Sequence, residues 1–234
     1  MQSAADFERV IAEHAQSMAA QHIAYAEVSF NPSLHQGEQW LDGVVRGRHL
    51  AKRDFGVEIA WLVELAREAA VASNEQALEI ALGTDGVVGL GLVGDESASS
   101  ASLAPIVDRA RAKGLRFMPH AGQASGPEVV SDAVEHLGAD RIAHGVSALA
   151  DPSVLALLAE RHVCLCVCPS SNSRIGLRPD YRKLAEAGVP LTVNSDDPAM
   201  VGTTLTDELR LAEETHGLSR EASIVAAWQY RFQA

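Results

Sequence analysis

The chain has 234 residues, of which 47% are hydrophobic and 21% are charged, and its formal net charge is −12 at pH 7. This acidic balance argues against a nucleic-acid-binding surface, which is normally basic, and we expect a small-molecule ligand instead. No apolar run reaches the roughly 18 residues of a membrane span, and the N-terminus lacks the basic and apolar regions of a signal peptide. We therefore expect a cytoplasmic protein with neither a nucleic-acid partner nor a membrane partner.

Apolar strands alternate with helices along the whole chain. The first element, residues 5–21, is predicted to be a helix because apolar side chains recur there at helical spacing. We predict seven strands, over residues 23–30, 56–63, 86–94, 115–119, 141–145, 163–168 and 190–194. Between and after them we predict helices over residues 39–53, 64–83, 99–113, 127–137, 152–161, 180–187 and 206–214, and a last helix that begins at Ser219.

This alternation defines the fold class. Near-continuous apolar strands that are each followed by a helix predict a parallel sheet with helices on both faces. A closed (β/α) barrel has eight strands, which is one more than the sequence shows. We therefore expect either an open α/β sheet or a barrel that lacks one βα unit, and we find no linker that would divide the chain into two domains.

Polar residues stand at the carboxyl ends of several predicted strands. His120 and His144 each end an apolar run, while Asn172 and the pair Asp196-Asp197 follow two later strands. Ligands and catalytic groups lie at this edge of parallel α/β sheets and barrels. The sequence therefore predicts one site that is assembled from strand ends.

The residue types at these ends suggest metal chemistry. Adjacent carboxylates in an extended chain point to opposite sides, so Asp196 can bind a metal while Asp197 faces a substrate. We nominate His120 as a second metal ligand because small residues follow it, and His144 as a group that orients or deprotonates a water. Two structural explanations stay open: Asp-Asp-Pro is good turn chemistry, and a histidine after an apolar pair is often a core residue.

The three cysteines lie close together on one predicted strand. Cys164, Cys166 and Cys168 are spaced by two residues, which places them on the same face of that strand. An odd and clustered set does not make a disulfide framework, and no other cysteine exists to complete a thiolate metal site. We expect them to be small buried core residues in a reducing compartment.

Seven short motifs follow one another along the chain. They are Tyr25–Pro32, Leu92–Glu96, His120–Gln123, Arg141–Gly145, Cys168–Asn172, Asn194–Pro198 and Thr203–Glu208. In this order they resemble the segments YxEVRxxP, xxGDE, HAGE, RIGHG, CPTSN, NSDDP and TxLTxE of the adenosine deaminase family. Each motif alone is short, but seven of them in the same order cover nearly the whole chain.

The resemblance implies a TIM-type (β/α) barrel that holds one zinc ion per chain. Zinc lowers the pKa of a bound water, and the resulting hydroxide would attack C6 of a purine with loss of ammonia. By position, the resemblance makes His120 and Asp196 zinc ligands and assigns the attacking water to His144. It places Asp197 in a hydrogen bond on the purine N7 side and the Gly94 N–H at N3.

Two departures from the family pattern bear on activity. The chain begins with a helix where the family has a strand carrying a His-x-His pair of zinc ligands. We therefore expect residues 1–234 to form a single barrel domain without the family's first βα unit, with seven of eight strands and half of the zinc shell. Gln123 stands at the position of the family's general acid, a glutamate that protonates N1. A carboxamide cannot transfer that proton, and losing such a transfer costs about 10²–10⁴-fold in rate.

The sequence thus predicts a zinc-dependent hydrolytic deaminase of an adenine nucleoside, with adenosine as the first substrate and aminodeoxyfutalosine as a close second. The alternative is a relative that binds purine nucleosides without turning them over, which the missing histidine pair and Gln123 favour. A different small-molecule hydrolase on the same barrel is a third interpretation, because fold does not fix function. Seven strands would leave two open sheet edges, so we also expect association into a homo-oligomer.

Overall fold

The structure is a computed structural model that describes residues 3–35 and 39–232. The seven strands in these ranges are β1 (Tyr25–Phe30), β2 (Glu58–Ala66), β3 (Val87–Val93), β4 (Arg116–Ala121), β5 (Arg141–His144), β6 (Cys164–Val167) and β7 (Leu191–Val193). The eleven α-helices in the same ranges are α1 (Ala4–Ala20), α2 (Gln39–Phe55), α3 (Val71–Gly83), α4 (Ala104–Ala112), α5 (Pro127–Glu135), α6 (Pro152–Glu160), α7 (Pro169–Arg174), α8 (Tyr181–Glu186), α9 (Pro198–Val201), α10 (Leu205–His216) and α11 (Arg220–Gln229). No helix within the described ranges is both long enough and apolar enough to cross a bilayer.

All seven described strands run parallel, and each pairs with the next one along the chain. The register sets Ala121 of β4 beside His144 of β5. The sheet also curls, because the side chain of Glu27 on β1 meets that of Arg141 on β5. The fold is therefore a partial (β/α) barrel of the TIM type, as the sequence predicts, and the carboxyl ends of its strands share one rim.

Helices α1 and α2 cover the outer face of the first two strands. Phe7 of α1 and Trp40 of α2 pack with their ring centroids 5.7 Å apart, and Trp61 of β2 belongs to the same buried cluster. The two helices cross closely because α2 has Gly43 at the crossing point. A Cβ atom there would lie 2.1 Å from the carbonyl oxygen of Ala4, so any larger residue would push the helices apart.

The larger core lies between the sheet and helices α3 to α6. Strand residues that face this layer include Leu65, Leu90, Phe117, Ile142 and Leu165, and all of them are buried. Because burying one such side chain is worth about 1.5–3 kcal/mol, this layer holds the strands in register. The opposite faces of the same strands point into the barrel, below the rim that carries the polar strand ends.

Two predictions of secondary structure are wrong. The sequence predicts one helix over residues 64–83, but Glu64–Ala66 complete β2, and α3 begins only at Val71. Residues rich in Ala, Leu and Glu favour a helix, yet pairing with β3 continues the strand through this segment. Residues 169–172 are expected to end a strand and instead begin α7, with Pro169 at its first position, where proline fits a helix.

The other predicted strands and helices are confirmed, with ends that differ by a few residues. Asp151 caps α6, because its side chain accepts a hydrogen bond from the Ser153 N–H at 2.8 Å. Ser219 caps α11 in the same way, because its side chain accepts a hydrogen bond from the Ala222 N–H at 3.2 Å. Such caps satisfy N–H groups that the first helical turn leaves free.

A buried ion pair lies at the amino-terminal end of the barrel. The side chains of Glu27 and Arg141 are in contact and are each 8% exposed. The ring of Phe232 lies against the Arg141 guanidinium, 3.8 Å from its carbon atom, and the Phe232 N–H donates to Glu27 Oε1. The Tyr25 hydroxyl lies 2.7 Å from the Phe232 carbonyl oxygen. These contacts tie β1 to β5 and to the segment that follows α11.

Candidate functional site

His120, His144 and Asp196 converge at the carboxyl rim of the barrel. The ring centroids of the two histidines are 5.3 Å apart, and His144 Nε2 is 3.8 Å from Asp196 Oδ2. One potential ligand atom from each of the three residues lies within 4.8 Å of the other two. Imidazole nitrogens and a carboxylate oxygen are donors that zinc prefers, so the cluster could hold a metal ion.

Two of these residues have an unusual backbone conformation. His144 and Asp196 are left-handed, with φ of 65° and 55°. This region costs a residue other than glycine about 1–3 kcal/mol and is often found at functional sites. Gly145 after His144 is also left-handed, and its N–H donates to the Ala121 carbonyl oxygen at 3.0 Å. This hydrogen bond anchors the turn that follows His144 to the end of β4.

The surroundings of the site set its protonation. Burial, and then the neighbouring His120, lower the pKa of His144 to about 4, so its imidazole is neutral at pH 7. Burial, and then the neighbouring Asp196, raise the pKa of Asp197. The Ser171 hydroxyl donates to Asp196 Oδ2 at 2.6 Å, which orients that carboxylate. Two adjacent aspartates therefore differ in their partners.

The cluster opens onto a cavity of about 330 Å³, which is within the range of small-molecule pockets. Helix α1 forms part of its wall through His14 and Met18. The wall also includes Met118 and Cys166 from β4 and β6, and Asp197 from the segment after β7. The cavity is thus bounded by elements from distant parts of the chain.

Two of the predicted site residues do not line this cavity. The Gln123 amide donates from Nε2 to Asn172 Oδ1 at 3.0 Å, and Asn172 in turn donates from Nδ2 to the Tyr181 hydroxyl at 2.8 Å. Gly94 follows β3 with φ of 103°. The structure therefore gathers the two predicted histidines and the two aspartates, and it leaves these two residues beside the cavity.

The three cysteines are free and buried, as the sequence predicts. Burial raises the pKa of the Cys168 thiol, so this group stays protonated at neutral pH. Cys166 and Cys168 border the cavity, and Cys166 Sγ lies 3.6 Å from Met118 Sδ. Both are buried packing residues at the cavity wall.

Two buried charged residues near the site are not predicted from the sequence. Glu64 is 3% exposed, and neither carboxylate oxygen accepts a hydrogen bond of normal geometry from the described residues. Gly91 provides its space, because a Cβ atom there would lie 2.2 Å from Glu64 Oε2. Arg67 donates from Nη2 to the His120 carbonyl oxygen at 2.5 Å. A lone charge in the apolar run Trp61–Ala66 is the signal that could have located Glu64.

Comparison with known proteins places the chain in a family. A family model described as "Adenosine deaminase" matches residues 1–228, and the chain therefore belongs to the adenosine deaminase family. It is 39% identical over 221 residues to an aminodeoxyfutalosine deaminase of Streptomyces coelicolor, covering 88% of this chain and 57% of that protein. It is 33% identical over 224 residues to an adenosine deaminase of Serratia proteamaculans, covering 90% of this chain and 68% of that protein.

Solved structures agree on the fold. The chain superposes on an adenine deaminase from Arthrobacter aurescens with a TM-score of 0.92 at 24% identity, covering all of this chain and 76% of that chain. An amidohydrolase from Burkhoderia ambifaria, solved with bound Zn, gives a TM-score of 0.91 at 24% identity and covers all of this chain and 70% of that one. Both similarities establish the barrel architecture.

The buried carboxyl of Glu64 predicts a specific pH dependence of stability. Burial raises its pKa from 4.5 to about 6, although His120 and Ser29 offset part of this shift. The unfolded chain therefore releases this proton at lower pH than the folded chain, and stability falls as pH rises from about 4.5 to 6. A shift of this size corresponds to about 2 kcal/mol. The difference in the free energy of unfolding between Glu64→Gln and the wild type should therefore shift by about that much in favour of the variant between pH 4 and pH 8.

Urea unfolding with EDTA present, which keeps metal ions away from the nearby His120, measures this difference. Glu58→Gln is the matched control, because Glu58 lies on the same strand but is exposed and paired with Lys52, which lowers its pKa. The control should show no such gain at high pH. If Glu64→Gln and the wild type keep a constant difference in stability across the range, the carboxyl is not buried as described.

Proposed function

We propose that this chain carries the metal-binding and substrate-binding rim of a zinc-dependent hydrolytic deaminase that acts on an adenine compound. The observation that carries the proposal is the convergence of His120, His144 and Asp196 within 4.8 Å at a cavity bordered by Asp197. Family membership supports it. The chain spans 57% of the length of the Streptomyces coelicolor relative, so the proposal concerns the activity of a protein that contains this chain.

The residues present fit a zinc ion. His120 Nδ1 lies 3.1 Å from the Leu92 carbonyl oxygen, which favours a proton on Nδ1 and leaves Nε2 as a ligand. The hydroxyl of Ser171 supports Asp196 in the way that outer-shell groups orient metal ligands. His144 is neutral at pH 7 and within ligand distance. When bound, zinc would supply a water of lowered pKa near neutral pH.

Each side chain of the rim has a proposed task. His120 and Asp196 would hold the metal, and His144, as a neutral imidazole, would orient the attacking water and take up its proton. Asp197 takes part in a hydrogen bond on the purine N7 side. The Gly94 N–H is the proposed partner of N3, and this contact requires the base to extend past the cavity wall toward the end of β3.

Among adenine compounds, we propose aminodeoxyfutalosine as the first substrate and adenosine as the second. The motifs in the sequence suggested the opposite order, but they are common to deaminases of several adenine compounds. The 39% identity to an aminodeoxyfutalosine deaminase exceeds the 33% identity to an adenosine deaminase. A purine nucleoside part is common to both substrates, so the same rim residues serve either one.

One observation favours a second candidate, a protein that binds purine nucleosides without turning them over. Gln123 stands where the family has a glutamate, and its amide is held by Asn172 outside the cavity wall. An amide can donate a hydrogen bond to purine N1 but cannot deliver a proton to it. Turnover and binding therefore separate the two candidates.

The metal site predicts loss of zinc on removing one ligand. Elemental analysis of the purified chain should give about one zinc per chain. His120→Ala should weaken zinc affinity by more than about 100-fold, the upper range for losing an outer-shell partner alone. The matched control is His136→Ala, because His136 is an exposed histidine that directly follows α5. This variant should bind zinc like the wild type. Equal zinc content in all three proteins would place the metal elsewhere.

Restoring the general acid predicts a gain in rate. Gln123→Glu should raise kcat on aminodeoxyfutalosine or adenosine by about 10²–10⁴-fold, because a carboxyl can protonate N1. The assay follows ammonia release with added zinc. Any zinc-dependent turnover by the wild type rules out the pure binder, whereas an unchanged kcat in Gln123→Glu shows that position 123 does not transfer the proton.

The open edges of the sheet predict association. Within the described residues, β1 and β7 each pair with one strand only. An exposed strand edge offers unpaired N–H and C=O groups to another chain. Light scattering of the purified chain should therefore give a mass above that of one copy, and a monomer at all concentrations would contradict this part of the proposal.

A further inference from the structure

The loop that follows β4 is organised by one buried carboxylate. The backbone N–H groups of residues 122–125 all point to Glu96, which is 6% exposed. Gly122, Ala124 and Ser125 donate to Oε2 at 3.0 Å, and Gln123 donates to both oxygens at 3.1 Å. Successive N–H groups that converge in this way form an anion-binding nest, and here the anion belongs to the chain itself.

The same loop is held from its other end. Arg67 donates to the carbonyl oxygen of His120, two residues before the first of the four N–H groups. The segment between these anchors has little freedom, because Gly122 is left-handed and a Cβ atom there would lie 2.4 Å from Ser147 Oγ. The backbone on both sides of Gly122 therefore carries charge-assisted hydrogen bonds, which are stronger than neutral ones.

The loop connects two residues of the proposed site. His120 supplies its imidazole to the metal cluster, and Gln123 occupies the general-acid position. Glu96 touches neither the cavity nor the three candidate metal ligands, since it is not among the residues that line the cavity or form the cluster. Its hydrogen bonds within the described residues are all with the loop backbone, so it acts on the chemistry through the position of the loop, and its charge also acts at longer range on Arg67 and His144.

We propose that Glu96 is a positioning residue for the reaction: its carboxylate holds the backbone of the 122–125 loop and thereby fixes where the side chain at position 123 stands relative to the metal cluster. This inference rests on the proposed function for its kinetic consequence, but the loop geometry itself can be tested without activity. The isosteric variant Glu96→Gln loses the charge and one acceptor oxygen, and it turns an NH₂ group toward N–H donors.

Hydrogen exchange tests the loop directly. In Glu96→Gln, the four amides of residues 122–125 should exchange about 10- to 100-fold faster, because this factor corresponds to the loss of a hydrogen bond to a charged group. Asp151→Asn is the matched control, because Asp151 is an exposed carboxylate that also accepts a backbone N–H but caps a helix away from the site. Unchanged exchange in Glu96→Gln overturns the proposal, whether or not the wild type is an enzyme.

A double-mutant cycle tests the catalytic consequence. If Gln123→Glu raises kcat, that gain should fall by about 10- to 100-fold in the Glu96→Gln background and persist in the Asp151→Asn background. KM should change less than kcat, because Glu96 does not contact the substrate. An equal gain in both backgrounds assigns Glu96 a structural role only and overturns the proposal. If Gln123→Glu gives no gain in otherwise wild-type protein, position 123 does not transfer the proton, and hydrogen exchange alone decides the role of Glu96.

A second variant covers the case in which Glu96→Gln does not fold. Glu96→Asp keeps the charge but shortens the side chain by one methylene, so it should keep some of the four hydrogen bonds. Its exchange rates and its effect on the Gln123→Glu gain should lie between those of the wild type and the Gln variant. If the 122–125 amides exchange as slowly in Glu96→Asp as in the wild type, and the kcat gain of Gln123→Glu is also unchanged, the length of the Glu96 side chain is not what holds the loop.

Discussion

Parallel pairing in chain order is the constraint on which the whole site depends. Because β1 to β7 run in one direction, residues far apart in sequence end at the same rim, and three of them bring ligand atoms within 4.8 Å. A slip of one residue in any strand would turn its alternate side chains from the barrel interior into the helix layer. The apolar layer under α3 to α6 therefore does more than stabilise the sheet, since it also sets the distances between donors.

Charge inside this barrel is distributed unevenly, and the chemistry follows from that distribution. The aspartates at 196 and 197 are neighbours in sequence, yet one is oriented by a serine hydroxyl, whereas desolvation and the neighbouring Asp196 raise the pKa of the other. Two carboxylates in different environments can take different tasks at one pH, which is how acid and base roles are separated in many active sites. His144 is kept neutral in the same space, so the rim places an uncharged imidazole beside two carboxylates with different surroundings.

Much of the architecture could be predicted from the sequence, because strand ends and caps are local signals. The alternation of apolar runs gave all seven strands, and the polar ends located both histidines and both aspartates. The helix predicted over 64–83 begins too early because residues rich in Ala, Leu and Glu favour a helix, whereas pairing with β3 continues the strand and buries Glu64 beside Gly91. Glu96 could not be found in this way, since its four partners lie about 27 residues later and meet it only in the folded chain.

The two sulfur atoms at the cavity wall give the site a second chemical character. Met118 lies two residues before His120 on β4, and its thioether meets the Cys166 thiol at 3.6 Å. The rim thus offers nitrogen and oxygen, while the deeper wall offers soft sulfur donors. Thiophilic ions such as Cu(I) or Hg(II) would lodge beneath the rim instead of competing for its imidazoles. Binding of such ions would then show itself as a blocked cavity with the cluster of His120, His144 and Asp196 still free.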